Sequence, residues 1–153
     1  MSLEKNGIFI INTFFFATVF KEKMIENTAT NISYKSTKIL LCLGVTPNNI
    51  AYSYISYAMR IAENNSLSFT KVTRDLYPSI ANYFNTTSSS VESAIRHAID
   101  MIWSRNSIER INKVFGLTVY TSTYDKPGNG EFLSILFETV RLDIANFNAF
   151  CFN

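Results

Sequence analysis

The pattern that most restricts the fold of this chain is an apolar stripe at helical spacing within residues 88–105. Val91, Ile95, Ala98 and Ile102 recur every three or four residues, so they share one face of an α-helix. The opposite face is polar and carries Ser90, Ser93, Arg96, His97 and Asp100. A helix of this kind must pack its apolar face against other elements, which predicts a helical domain with one polar helix face exposed.

Further helices are predicted on both sides of this stripe. Thr46-Pro47 is typical of an N-cap followed by the first helical residue, and Asn64-Asn65 would end that helix. The other predicted helices cover Ser68–Asp75, a short stretch from Pro78, Ser107–Phe115 before Gly116, and Glu131–Asn146. With 5 glycines and 3 prolines the chain is poor in turn residues, which argues against an all-β fold. The sequence therefore predicts an all-α fold of about six helices.

The residues around the stripe resemble a helix-turn-helix between Leu76 and Arg105. A short helix from Pro78 is followed by a polar turn at Asn85-Thr86-Thr87. Ser89-Ser90-Val91-Glu92 has the form of a capping box, in which Ser89 would cap the second helix and Glu92 would reach back to it. Asn106 would end that helix in the left-handed conformation. This order of elements is the helix-turn-helix pattern.

A helix-turn-helix places its second helix in the major groove of DNA, where exposed side chains near the helix start meet base edges. Arginine can contact guanine with two hydrogen bonds, and glutamate can accept one from cytosine. Serine hydroxyls and backbone amides at the helix start suit phosphates. The predicted DNA-binding residues are Ser89, Ser90, Glu92, Ser93, Arg96 and His97, with Arg105, Arg110 and Lys113 as phosphate contacts.

Each of these assignments has a structural alternative that the sequence leaves open. Arg96 could be a solvated helix residue, Glu92 a cap, and His97 a packed or capping histidine. The cations Arg105, Arg110 and Lys113 could equally form a scattered surface set.

Catalysis is the least supported class of function. The chain has 1 histidine and 2 cysteines without a CxxC pair, so neither a histidine relay nor a zinc site is predicted. Gly128-Asn129-Gly130 follows Pro127 as a turn and does not resemble a phosphate-binding loop. We therefore expect no enzyme activity, cofactor, metal or small-molecule substrate. The net charge of +2 permits DNA binding without arguing for it.

A longer stretch resembles a known family. Leu76–Asn106 contains the sequence motifs LYP, FNTT, AIRHAI and WSR, and weaker similarity extends over about residues 43–143. With these motifs the chain resembles the effector domain of the sporulation master response regulator of endospore-forming Firmicutes. The resemblance implies an all-helical, winged-helix-like effector domain that binds double-stranded promoter boxes, often as head-to-tail pairs. It also implies activation or repression, in part through RNA polymerase, with the sigma subunit as a candidate partner.

Two departures from the family pattern concern function. The family arrangement SRVERAIRHAI reads SSVESAIRHAI here, so Ser90 and Ser93 replace two arginines. We expect weaker or altered site preference in consequence. The family's phosphorylated receiver domain has no counterpart in residues 1–42, which contain no aspartate. Control by phosphorylation is therefore not inferred for this chain.

The expected domain organisation has three parts. Residues 1–42 form a divergent N-terminal segment in which Lys21–Lys38 is a polar linker, residues 43–146 form the DNA-binding domain, and residues 147–153 form a tail. We expect a cytoplasmic regulator. Three alternatives stay open: an interaction module that modulates a full-length relative without binding DNA, a degenerate or truncated copy, and a regulator tethered to the membrane by the apolar run Ile8–Phe20.

Overall fold

Six α-helices form most of the region described by the computed structural model, which covers residues 31–65 and 69–144. They are α1 (Ile32–Cys42), α2 (Ile50–Asn65), α3 (Tyr77–Tyr83), α4 (Ser88–Arg105), α5 (Ile108–Phe115) and α6 (Asn129–Arg141). A 3-10 turn, Phe69–Lys71, and a π-helix, Val72–Leu76, lie between α2 and α3. Within these described ranges there is no β-strand. The prediction of an all-α fold with about six helices is confirmed.

The core lies where the apolar faces of all six helices meet. The four residues of the predicted stripe on α4 are all buried, which confirms the helical period inferred for residues 88–105. Large side chains fill the spaces between the other helices, and the fully buried ones include Leu40, Met59, Tyr77, Phe115 and Phe132. Burial of these side chains removes apolar surface from water and provides the main favourable contribution to folding.

Helix α1 is part of this core. Ser36, Ile39 and Leu40 on one face are buried, and the helix packs against α2 and α6. The interpretation of Lys21–Lys38 as a linker is therefore wrong for residues 32–38. The sequence does not reveal this helix clearly, because most of its apolar residues follow one another at its C-terminal end and show no helical period.

The rest of the N-terminal segment, including Ile8–Phe20, lies outside the described residues. In the part of the chain that the structure does describe, no helix is long and apolar enough to cross a membrane. The boundary between residues 42 and 43 stays a prediction.

Helices α2 and α6 begin at residues other than those predicted. Thr46-Pro47 belongs to a turn, and α2 begins at Ile50, where the Asn49 Oδ1 atom accepts a hydrogen bond from the Ala51 amide at 3.0 Å. Asparagine is as good an N-cap as threonine, so the asparagine nearer the apolar stripe takes this place. Helix α6 begins at Asn129 and ends at Arg141, whereas the predicted range was Glu131–Asn146.

The connection between α4 and α5 also differs from the prediction. Asn106 has φ −120° and ψ 147°, which is extended and not left-handed. Its side-chain amide donates to the carbonyl oxygens of Ile102 at 3.0 Å and Leu43 at 3.1 Å, so the residue ties the helix end to the chain after α1. The predicted end of α5 is confirmed, because Gly116 closes it at φ 73°.

Candidate nucleic-acid interface

Helices α3 and α4 and the turn between them form the helix-turn-helix that the sequence predicts. Pro78 lies in the first turn of α3, where a missing amide proton costs no helical hydrogen bond. After α3 the Thr86 amide donates to the Ala81 carbonyl at 2.9 Å, and Asn85 adopts φ 53°. Asparagine tolerates this left-handed conformation better than most residues, so the turn can be short.

The start of α4 is capped by Thr87 and not by Ser89. The Thr87 Oγ1 atom accepts a hydrogen bond from the Ser90 amide at 3.1 Å, and Thr87 itself is extended. The predicted capping box is therefore wrong, since Glu92 lies too far along the helix to be the third residue after this cap. As a result Ser89, Glu92 and Ser93 need not serve the helix end.

The identity of this cap can be tested through stability. We expect Thr87→Ala to lower the free energy of unfolding by about 1 kcal/mol, because one amide at the helix start loses its acceptor. Ser89→Ala is the matched control, since Ser89 is exposed beside the cap, and its change should stay within about 0.5 kcal/mol. Urea unfolding followed by circular dichroism measures both. If Ser89→Ala lowers the free energy of unfolding more than Thr87→Ala does, Ser89 and not Thr87 caps the helix.

The predicted reading residues lie on one face of α4 within its first three turns. Five of them are exposed to solvent: Ser89, Ser90, Glu92, Ser93 and His97. Arg96 lies on the same face and is half-buried. The structure thus brings together on one helix face the side chains that the sequence predicts, and it leaves most of them exposed to solvent.

One edge of this face is covered by residues 126–129, which we call the strap. Lys126 forms a salt bridge with Asp100, with 2.7 Å between Nζ and Oδ1. The Arg96 Nη1 atom donates to the Pro127 carbonyl at 2.9 Å. The Asn129 Nδ2 atom donates to the Glu92 carbonyl at 3.0 Å. Successive contacts are four residues apart on α4, so the strap runs antiparallel along one side of the helix.

The strap changes how two charged residues of α4 can act. Arg96 uses one guanidinium nitrogen to hold the strap, so only its remaining N–H donors are left for a ligand. The hydrogen bond from Lys126 keeps the pKa of the Asp100 carboxyl below its usual value. Asp100 is therefore ionised at neutral pH, and its charge is balanced by Lys126.

A buried polar contact fixes the end of the strap. Asn129 is almost fully buried, and its Nδ2 atom donates to the Tyr77 hydroxyl at 2.9 Å as well as to α4. Burial raises the pKa of Tyr77, so this phenol stays neutral. One side chain at the start of α6 thus joins both helices of the helix-turn-helix. The sequence predicted only a turn at Gly128-Asn129-Gly130, and no local pattern indicates that Asn129 joins these two helices.

The three basic residues proposed as phosphate contacts occupy different places. Arg105 is the exposed last residue of α4, and Lys113 is exposed on α5. Arg110 directs Nε to the Asn106 Oδ1 atom at 3.0 Å and Nη2 to the Cys42 carbonyl at 3.1 Å. Its guanidinium therefore joins α5 to the end of α1, which is a structural role that the sequence did not predict.

Comparison with known families agrees with this geometry. The family model described as the sporulation initiation factor Spo0A C terminal matches residues 36–140, which is more than half of the 153 residues. The chain belongs to this family. The matched region begins within α1 and reaches the last turn of α6, so it contains the whole helix-turn-helix.

Membership in the Spo0A C-terminal family gives the fold a functional context. The family consists of DNA-binding domains of sporulation initiation and is not a family of enzymes. The resemblance to the sporulation-regulator effector domain, inferred from the sequence motifs between Leu76 and Asn106, is confirmed. Among the described residues there is also no group of three or more histidine, cysteine or acidic side chains placed to hold a metal ion.

Proposed function

We propose that this chain is a sequence-specific DNA-binding regulator of transcription that places α4 in the major groove of a promoter. The observation that supports this most directly is the exposed polar face on the first three turns of α4, within a helix-turn-helix of the Spo0A C-terminal family. In such motifs this part of the second helix meets base edges. A regulator of this kind acts in the cytoplasm, where its promoters are.

In this proposal different side chains of α4 contact bases and phosphates. Ser93 and His97 lie near the middle of the exposed face, and we assign them to base contacts together with Glu92. Ser89 and Ser90 lie at the helix start, where hydroxyls and amides suit a phosphate. Arg96 contributes the donors that the strap leaves unused.

Contacts with the DNA backbone would come from cations outside the exposed face of α4 that carries Ser89, Ser90, Glu92, Ser93 and His97, which we call the reading face. Arg105 at the end of α4 and Lys113 on α5 supply exposed positive charge, and Arg110 also lies on α5. Such contacts set affinity and its dependence on salt, and they carry no sequence information. Two copies on tandem sites and contact with the RNA polymerase sigma subunit belong to the same proposal, because they follow from the family resemblance.

The experiment is a salt-dependent binding titration on two duplexes. One carries a site selected by the full chain from a random duplex library, and the other carries a scrambled version of it. We expect tighter binding to the selected site, by a factor that persists as salt rises, because base contacts depend less on counterion release than phosphate contacts do. Fluorescence anisotropy measures both affinities.

A second candidate function is favoured by the serines at positions 90 and 93 and by the strap bond to Arg96. These features reduce the number of cations on the reading face, so the fold could act as an interaction module that pairs with a full-length relative. Equally weak binding to the selected and scrambled duplexes would contradict the DNA-binding proposal and support this one.

A further inference from the structure

The loop before the strap ends in an ordered turn, residues 121–125, which we call the tip. The Asp125 Oδ2 atom accepts hydrogen bonds from the Thr121 amide at 3.2 Å, the Thr121 hydroxyl at 2.9 Å and the Ser122 amide at 3.0 Å. The Tyr124 amide donates to the Ser122 hydroxyl at 3.2 Å. This turn holds Tyr124 outward, and that residue is 96% exposed.

The position of the tip relative to α4 is fixed from both sides. After it, the strap is held at Asp100, Arg96 and Glu92. Before it, the buried ring of Tyr120 packs edge-on against Trp103, with 4.9 Å between ring centroids. The tip therefore lies beside the C-terminal half of α4, on the same side as the strap.

The width of the major groove determines what such a segment would face. An α-helix with its side chains is about 10–12 Å across, and the groove of B-DNA is about 12 Å wide. When α4 fills the groove, no room is left beside it at the level of the bases. A segment held against the side of α4 must then face the sugar-phosphate wall of the groove.

Resting on the proposed function, we propose that the tip is a second DNA-contact element, in which the Tyr124 hydroxyl donates a hydrogen bond to a phosphate bordering the groove. Tyrosine hydroxyls, threonine and serine hydroxyls and backbone amides are common phosphate donors. The tip's own carboxylate is bonded to three donors through one oxygen, and Lys126 balances Asp100 next to it. Both arrangements reduce repulsion of the phosphate.

Tyr124→Phe in the full chain tests this inference, because it removes only the hydroxyl. We expect binding to the selected duplex to weaken about two- to ten-fold, as for loss of one hydrogen bond. The slope of affinity against salt should not change, because the lost group is neutral. Tyr34→Phe on α1 is the control and should bind as wild type, since α1 lies outside both the helix-turn-helix and the strap.

Duplexes with single methylphosphonates along both strands identify the contact. We expect one flanking substitution to weaken wild-type binding and to have no further effect on Tyr124→Phe. The inference is overturned if Tyr124→Phe binds the selected duplex as tightly as wild type. It is also overturned if Tyr124→Phe weakens binding, relative to wild type, by the same factor on every methylphosphonate duplex. Absence of any wild-type binding would overturn the proposed function, and this inference with it.

Discussion

Ser90→Arg combined with Ser93→Arg is expected to tighten binding to a family-type promoter duplex by far more than it tightens binding to a scrambled duplex. Both serines are exposed on the reading face of α4, near its start. A bidentate arginine–guanine contact is worth about 1–3 kcal/mol, so each regained base contact would raise specific affinity roughly 5- to 150-fold. An arginine that meets a phosphate instead would raise both affinities and steepen the salt slope.

The two substitutions should leave the fold intact. The cap of α4 uses the backbone amide of Ser90, which any residue supplies, and the Ser90 hydroxyl adds only a contact of 2.9 Å with the Thr87 hydroxyl. Arginine is also a better helix former than serine. A change in DNA binding can therefore be separated from a change in folding by the urea midpoint of each variant.

Added charge alone must be distinguished from regained base contacts. Ser104→Arg is the matched control, because Ser104 is exposed on the same helix but lies close to its C-terminal end. We expect it to raise binding to both duplexes by a similar small factor, as a phosphate contact would. Anisotropy titrations at several salt concentrations measure the ratio of specific to scrambled affinity. If the double variant gives no higher ratio than Ser104→Arg, positions 90 and 93 do not read bases.

The sequence predicted helices correctly where the apolar period extends over several turns. It did not predict the capping residue where several neighbouring polar residues can take that place. The stripe from Val91 to Ile102 extends over several turns, so it determines both the helix and its buried face. At helix starts the choice is made among neighbouring residues of similar capping strength. The structure uses Thr87 and not Ser89, and Asn49 and not Thr46, and a sequence pattern does not distinguish such neighbouring residues because all of them are good N-caps.

The exposed polar face of α4 was predictable from the sequence, whereas the strap was not. The face follows from helical periodicity, because residues opposite a buried stripe must be exposed. The strap depends on contacts between residues 26, 31 and 37 positions apart, namely Lys126 with Asp100, Arg96 with Pro127, and Asn129 with Glu92. No local signal marks such pairs, so the structural use of Arg96 becomes visible only when the helices are packed.

Phe132→Ala is expected to cause the largest loss of stability among the variants considered. Phe132 is fully buried on α6, and its ring lies edge-on to Trp103 of α4 and Phe115 of α5, at centroid distances of 6.5 and 6.2 Å. Truncating a buried phenylalanine costs about 3–5 kcal/mol, since apolar burial is lost and a cavity is left. Domains of this size are stable by about 5–15 kcal/mol, so much of the margin would disappear.

We expect this loss of stability to affect the helix-turn-helix as well, because Asn129 at the start of α6 joins α3 to α4. Urea unfolding measures the effect as a lower midpoint with an unchanged slope. Tyr124→Ala is the matched aromatic truncation at a 96% exposed position and should change the free energy of unfolding by no more than about 0.5 kcal/mol. A loss below about 1 kcal/mol in Phe132→Ala would mean that the three helices do not close around this ring, since cavities of that size cost several times more.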